Sequence, residues 1–267
     1  GNWIYGQNKK KEGQNYINGS GLFWYENEEK DGLWTYYTKK GNGKYKVTYE
    51  KGDIITGQYI DSVGNKCEGE FVSSKDEKEK NNGSFIIQNS YNYDFTIQPN
   101  KLISYKNGKK NGLATFWWEE GGWSKTTYEN GMKVGLARIW YKNGNLRQES
   151  NYENDKANGL TIMYYENGPK VAEVFCKDNK YHGLYKGYYE SGKIMRENNY
   201  NMGKIDGMYY EWHENGQKRK EGNVIDGKEN GIWKGWYENG NKQSEVDFKN
   251  GIEITSKWWN EDGSVKE

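Results

Sequence analysis

GIWKGWYENG at 231–240 restates GMYYEWHENG at 207–216, GLYKGYYESG at 183–192, GLTIMYYENG at 159–168, GLARIWYKNG at 135–144 and GLATFWWEEG at 112–121. Successive starts are 23, 24, 24, 24 and 24 residues apart. Counting each first glycine as offset zero, an aliphatic residue follows at offset one, two rings at offsets five and six, and another glycine at offset nine. A polar stretch then leads to an apolar or aromatic slot at offset seventeen, held by Tyr152, Cys176, Tyr200, Val224 and Phe248, with Tyr128 one residue early in the 23-residue unit. A fixed period of this length marks a stack of supersecondary units, each burying its faces against its neighbours.

The unit reads as a β-hairpin. Two extended, ring-rich stretches flank KNG at 142–144 and ENG at 166–168, 214–216 and 238–240. Asn-Gly suits a type I′ turn, in which both central residues take positive φ. A two-residue turn of that kind pairs offset seven with ten, five with twelve and three with fourteen. Offset fourteen is Glu149, Glu173, Glu197, Glu221 and Glu245, and opposite it stand Arg138, Ile162, Lys186, Tyr210 and Lys234. Three cross-strand ion pairs are therefore expected, each worth about 0.2–1 kcal/mol. The period of two puts offsets one, three, five and fourteen on one face and offsets zero, two, six and seventeen on the other. The first face carries Trp140, Tyr164, Tyr188, Trp212 and Trp236 beside the glutamates. The second carries Tyr141, Tyr165, Tyr189, His213 and Tyr237 and is expected to be the better packed.

The G-L-x-x-x-W/Y-Y-x-N-G unit with its charged second strand resembles the MORN-repeat superfamily in its second variant form, as in YwqK-type antitoxin-like bacterial proteins. The resemblance runs from about 112 to 250. It implies an all-β fold: an elongated, curved single antiparallel sheet of tandem hairpins. It also implies a scaffold or binding module and no catalysis. A toxin-neutralising or immunity role is a second reading drawn from the same resemblance.

Outside the regular array the pattern weakens. Residues 1–56 read as divergent repeats: in GLWTYYTKKG from Gly32 the ring pair comes one offset early, and Tyr49 resembles the close of a second strand. Residues 57–105 read as irregular hairpins or an insert, broken by the charged run SSKDEKEKNNG at 73–83. The regular array occupies 106–250. Residues 251–267 read as a capping hairpin, in which Trp258 and Trp259 fall two offsets late when counted from Gly251.

Composition narrows the function. With 39 basic and 38 acidic residues the net charge is +1, which offers no field for nucleic acid or an anionic membrane. No apolar run approaches the roughly 18–20 residues of a membrane-spanning helix. Among 267 residues, 35 Gly, 2 Pro and 24 Tyr fit short turns joined by ring-rich strands. The chain opens on Gly1, which leaves both an exported and a cytoplasmic setting open.

Cys67 and Cys176 have no metal-ligand or disulfide spacing. Cys176 and His213 occupy slots filled by Tyr in other units, and His182 a slot filled by Asn or Asp, so packing accounts for Cys176 and His213. The carboxylates recur once per hairpin in one environment, unlike an acid/base pair split between two environments. No phosphate-binding glycine motif precedes a helix. The sequence thus points to no enzyme, cofactor or metal. The candidate partner-binding residues are Trp140, Tyr164, Tyr188, Trp212 and Trp236, and the partner is another protein, with a surface glycan as the alternative ligand for a ring column.

Overall fold

The computed structural model describes residues 24–26, 29–37, 43–50, 53–61, 66–68, 70–73, 82–88, 101–118 and 121–266. Among these there are strands and turns and no helix. The chain divides into two compact units, 1–132 and 133–267.

In the first unit, β1 (Trp24–Glu26), β2 (Glu29–Tyr37), β3 (Gly43–Glu50), β4 (Asp53–Asp61) and β5 (Lys66–Glu68) form one antiparallel sheet in sequence order. Gly32 pairs with Tyr49, the same zero-to-seventeen pairing that the regular units use. Tyr45, Val47 and Tyr59 are fully buried on one face of this sheet. The strands β6 (Glu70–Ser73), β7 (Gly83–Gln88), β8 (Lys101–Lys106), β9 (Lys109–Lys110), β10 (Gly112–Trp117) and β11 (Trp123–Glu129) belong to a second sheet. The Tyr59 and Trp117 rings meet edge to face at 5.3 Å between the two sheets.

Two expectations for 57–105 change here. The segment is shared between two sheets, and β6 runs parallel to β7. A parallel pair needs a connection longer than a hairpin turn, and the stretch after Ser73 contains no early turn dipeptide.

The second unit, with Met132 just ahead of it, holds β12 (Met132–Trp140), β13 (Leu146–Glu153), β14 (Lys156–Tyr164), β15 (Lys170–Lys177), β16 (Lys180–Tyr188), β17 (Ile194–Asn201), β18 (Lys204–Trp212), β19 (Lys218–Ile225), β20 (Lys228–Trp236), β21 (Lys242–Lys249) and β22 (Ile252–Trp258). Each pairs antiparallel with the next, so the sheet grows by one hairpin per repeat.

The turn chemistry differs from the sequence expectation. The Asn-Gly loops are three residues long: the Tyr141 N–H donates to the Asn145 carbonyl at 2.9 Å and the Gly144 N–H to the Tyr141 carbonyl at 3.0 Å. Only the glycine takes positive φ, 95° at Gly144. This is a type I turn closed by a left-handed glycine, the usual three-residue hairpin. The two-residue turns with both φ positive lie at the opposite ends of the strands, as at Asn154-Asp155 (50° and 66°), Asp178-Asn179 (51° and 65°) and Asp226-Gly227 (51° and 83°).

Asn143 has another task in its loop. Its carboxamide oxygen accepts the Asn145 N–H at 2.9 Å, and its NH2 donates to the Glu166 carbonyl of the next hairpin at 3.0 Å. Asn215 and Asn239 repeat both bonds.

A bulge absorbs the longer loop. Gly135 pairs with Tyr152 and Arg138 with Glu149, but Trp140 pairs with Leu146, leaving Arg147 as the extra residue. Val171, Met195, Arg219 and Gln243 are skipped likewise. The expected pairs Arg138 with Glu149, Lys186 with Glu197 and Lys234 with Glu245 are therefore direct cross-strand neighbours. In the 23-residue unit, pairing runs unbroken from Gly112 with Tyr128 to Trp117 with Trp123. The residue that unit lacks is the bulged one.

One face of the second unit is the packed face. Ala137, Ser150, Thr161, Val174, Asn198, Trp233 and Val246 are all buried there, together with Cys176 and Val224 of the offset-seventeen slot. The Trp233 ring lies over Gly222, donates its indole N–H to the Asn223 carbonyl at 3.1 Å, and meets Tyr209 at 5.5 Å.

Candidate partner-binding face

The opposite, outer face of the second unit carries three rows. The first is aliphatic: Leu136, Leu184, Met208 and Ile232 are exposed and Leu160 is half-buried. The second is charged, and the third is the ring column. Between Met208 and Ile232 the surface dips into a depression of about 480 Å³, bordered also by Glu221, Asn223, Ile225 and Lys234.

The bulge builds the charged row. In an unbroken strand, residues three apart face opposite ways. With offset twelve skipped, the lysines at offset eleven turn to the same face as the glutamates at offset fourteen. Lys170 reaches Glu173 at 3.0 Å and Lys218 reaches Glu221 at 2.5 Å, and Lys242 pairs with Glu245 in the same way. Across the hairpins Arg138 meets Glu149 at 2.6 Å and Lys186 lies 3.9 Å from Glu197. The cross-strand cations are legible in the sequence, whereas the offset-eleven lysines reach this face only through the bulge, which a two-residue turn does not contain.

All five expected rings, Trp140, Tyr164, Tyr188, Trp212 and Trp236, stand half-buried in one column on this face. The tyrosines are tied to the glutamates of the preceding hairpin. Tyr164 donates to Glu149 at 3.3 Å and Tyr188 to Glu173 at 2.5 Å. The Tyr188 hydroxyl and the Lys170 ammonium hold the Glu173 carboxyl below its ordinary range. Burial first, and then Glu173, push the Tyr188 phenol well above its own.

The offset-six rings act as latches between hairpins. Tyr141 donates to the Tyr164 carbonyl at 2.8 Å, Tyr165 to Tyr188 at 3.1 Å, Tyr189 to Trp212 at 2.7 Å and Tyr237 to Trp259 at 2.8 Å. His213 fills the same place with Nε2 2.9 Å from the Trp236 carbonyl, so that nitrogen carries the proton. The histidine is explained by structure.

The latch from Tyr237 also shows that Trp259 is the offset-five ring of the last unit. Gly251 belongs to the two-residue turn, not to offset zero. Counting back from Gly263, whose N–H closes the last three-residue loop onto Asn260, gives the same register. That count was available in the sequence. The column therefore ends in three consecutive indoles, Trp212, Trp236 and Trp259. Lys218 lies 6.0 Å from the Trp236 ring centre and Lys242 lies 4.6 Å from that of Trp259, the same contact in successive hairpins. Among the described residues no group of three or more His, Cys, Asp and Glu side chains is placed to hold a metal ion.

The family described as MORN repeat variant matches residues 133–154, 181–202, 205–226 and 229–250. Four of the hairpins thus match the variant type of MORN repeat. Each matched stretch is one hairpin with its three-residue loop in the middle. The unmatched stretch between 154 and 181 folds as the same hairpin, β14 and β15, with the same bulge. No curated protein shows significant similarity to the chain.

Proposed function

We propose that this chain is a non-enzymatic repeat scaffold that binds another protein through the outer face of its second unit. The observation that carries this reading is the column Trp140, Tyr164, Tyr188, Trp212, Trp236 and Trp259, half-buried rings repeated once per hairpin beside charge pairs that neutralise one another. Such a blend of rigid rings and compensated polar groups suits a protein interface, where Trp and Tyr anchor and charges are few at the centre. The recurring carboxylates are occupied by lysine, arginine or tyrosine partners, a structural use that leaves no differentiated acid and base.

The test is a photo-crosslinking residue placed at Trp236, with the trapped protein then used in a binding assay against a Trp212→Ala, Trp236→Ala variant. Each substitution should weaken binding by more than about 1 kcal/mol while the fold is kept. Undiminished binding by the folded double variant would exclude this face and move attention to the irregular segment 57–105.

A further inference from the structure

We infer that the three terminal indoles, Trp212, Trp236 and Trp259, form a docking site for a proline-rich segment in the polyproline II conformation, an inference that rests on the outer face being the partner surface. Two independent observations point to this ligand. The first is spacing. Rings of one column are two strands apart, about 9.6 Å at a strand separation of about 4.8 Å. A polyproline II helix completes one turn in three residues and rises about 9.3 Å, so a side chain every third residue falls on successive rings. An extended β peptide advances about 6.8 Å per side chain on one face and drifts out of phase within one repeat.

The second observation is donor supply. A polyproline II backbone makes no internal hydrogen bonds and leaves its carbonyls open, while proline itself brings no N–H. Among the described residues the indole N–H groups of Trp212, Trp236 and Trp259 have no hydrogen-bond acceptor, in contrast to Trp233 on the packed face, whose N–H is taken by Asn223. Lys218 and Lys242 sit beside Trp236 and Trp259, and each ammonium has protons beyond the one given to its glutamate. The tyrosines at Tyr164 and Tyr188 have committed their hydroxyls to glutamates, so the donor-bearing stretch is the indole end. Glu221 and Glu245 face Lys218, Lys234, Lys242 and Lys257, the last 5.2 Å from the Trp259 ring centre, and this surplus of ammonium donors suits a carbonyl-rich ligand and disfavours a basic one.

The ligand is thus a P-x-x-P-x-x-P segment, with its three prolines on the three indoles and its intervening carbonyls facing the indole and lysine donors. Its low conformational freedom before binding favours a preformed, rigid platform of this kind.

The experiment is a tryptophan-fluorescence titration of the full chain with three synthetic ten-residue peptides. One has prolines at every third position, one has the same composition with the prolines four apart, and one is a Gly/Ser sequence. The three-spaced peptide should bind at least about tenfold more tightly than either of the others. Trp236→Phe, which keeps a ring and removes the donor, should weaken it several-fold, and Trp236→Ala more. A seven-residue three-spaced peptide should bind nearly as well as the ten-residue one, and a four-residue peptide far more weakly. Equal binding of the three ten-residue peptides, or no binding of the three-spaced one at millimolar concentration, overturns the inference. If a protein is still trapped by a crosslinker at Trp236 in that case, the partner face stands and only the polyproline ligand falls. If nothing is trapped, both fall.

Discussion

Replacing Gly222 with Ala sets two effects of opposite sign against each other. Gly222 sits in β19 without positive φ, so its backbone admits alanine, and removing a glycine from a strand by itself gains about 0.5–1 kcal/mol. The added methyl, however, would lie 2.1 Å from Cδ2, 2.4 Å from Cε2 and 2.5 Å from Cγ of Trp233. These atoms belong to a rigid ring that is only 4% exposed and is held by Asn223, Tyr209 and Phe248, so it cannot swing aside as a lysine tip would. Overpacking of this kind costs about 1–3 kcal/mol, and losing the indole hydrogen bond adds about 0.5–1.5 kcal/mol. The clash wins, for a net loss of about 1–3 kcal/mol. Urea unfolding followed by near-ultraviolet circular dichroism measures it. The same substitution made in a Trp233→Val background should be neutral or slightly stabilising, a coupling above about 1 kcal/mol. A Gly222→Ala protein as stable as the parent, or an equal penalty in both backgrounds, would refute the assigned packing of ring on glycine.

Gly216→Ala isolates backbone strain, because nothing lies within 4 Å of the added methyl but φ is 91°; a loss of about 1–2 kcal/mol in the same urea assay is expected. Tyr165→Phe and Tyr189→Phe each remove one latch and should cost about 0.5–1.5 kcal/mol, with faster amide exchange in the loop of the following hairpin, whereas His213→Tyr should keep its latch and cost little. The Tyr209 phenol is pushed up to about 12, first by burial and then by Glu211. A folded-state pKa above the unfolded value near 10 means that its contribution is whole below pH 10 and is lost as pH rises toward 12. Absorbance at 295 nm should accordingly show tyrosines that ionise only as the protein unfolds. Glu173 has the opposite sign, since its depressed pKa gives stability that is present above the ordinary carboxylate range and lost as pH falls through the lowered value. Glu173→Gln should therefore flatten the acid limb of a melting-temperature profile.

The hairpin stack was legible because period and ring positions are set by packing, and packing leaves its mark on residue type. The Glu149, Glu197 and Glu245 pairings were legible for the same reason. The loop type was not. Asn-Gly fits two turns equally well as a dipeptide, and the choice is made by the neighbouring hairpin, whose carbonyl at Glu166 takes the Asn143 amide. The 23-residue unit did hold the clue: removing one residue leaves the loop intact and the register continuous, so the residue that is present elsewhere must be a bulge. The parallel pairing of β6 with β7 left no such mark, since neither strand carries the repeated glycine and ring spacing.

The bonds that place the ring column are bonds between hairpins rather than within them. Tyr237 holds the backbone of Trp259, His213 that of Trp236 and Tyr189 that of Trp212, so each indole is positioned by the preceding repeat. In a stack whose stability is a sum over neighbouring units, opening one hairpin removes the support of the next ring along with its own. A ligand spanning two or three rings therefore binds only the stretch in which consecutive hairpins are formed, and its binding stabilises those interfaces in return. The anchoring strength of Trp259 then depends on Tyr237, which touches no ligand. Tyr237→Phe should weaken binding at the indole end while leaving Trp259 itself in place, and it should do so more than Tyr141→Phe at the far end of the column, a comparison that a titration of the two variants side by side decides.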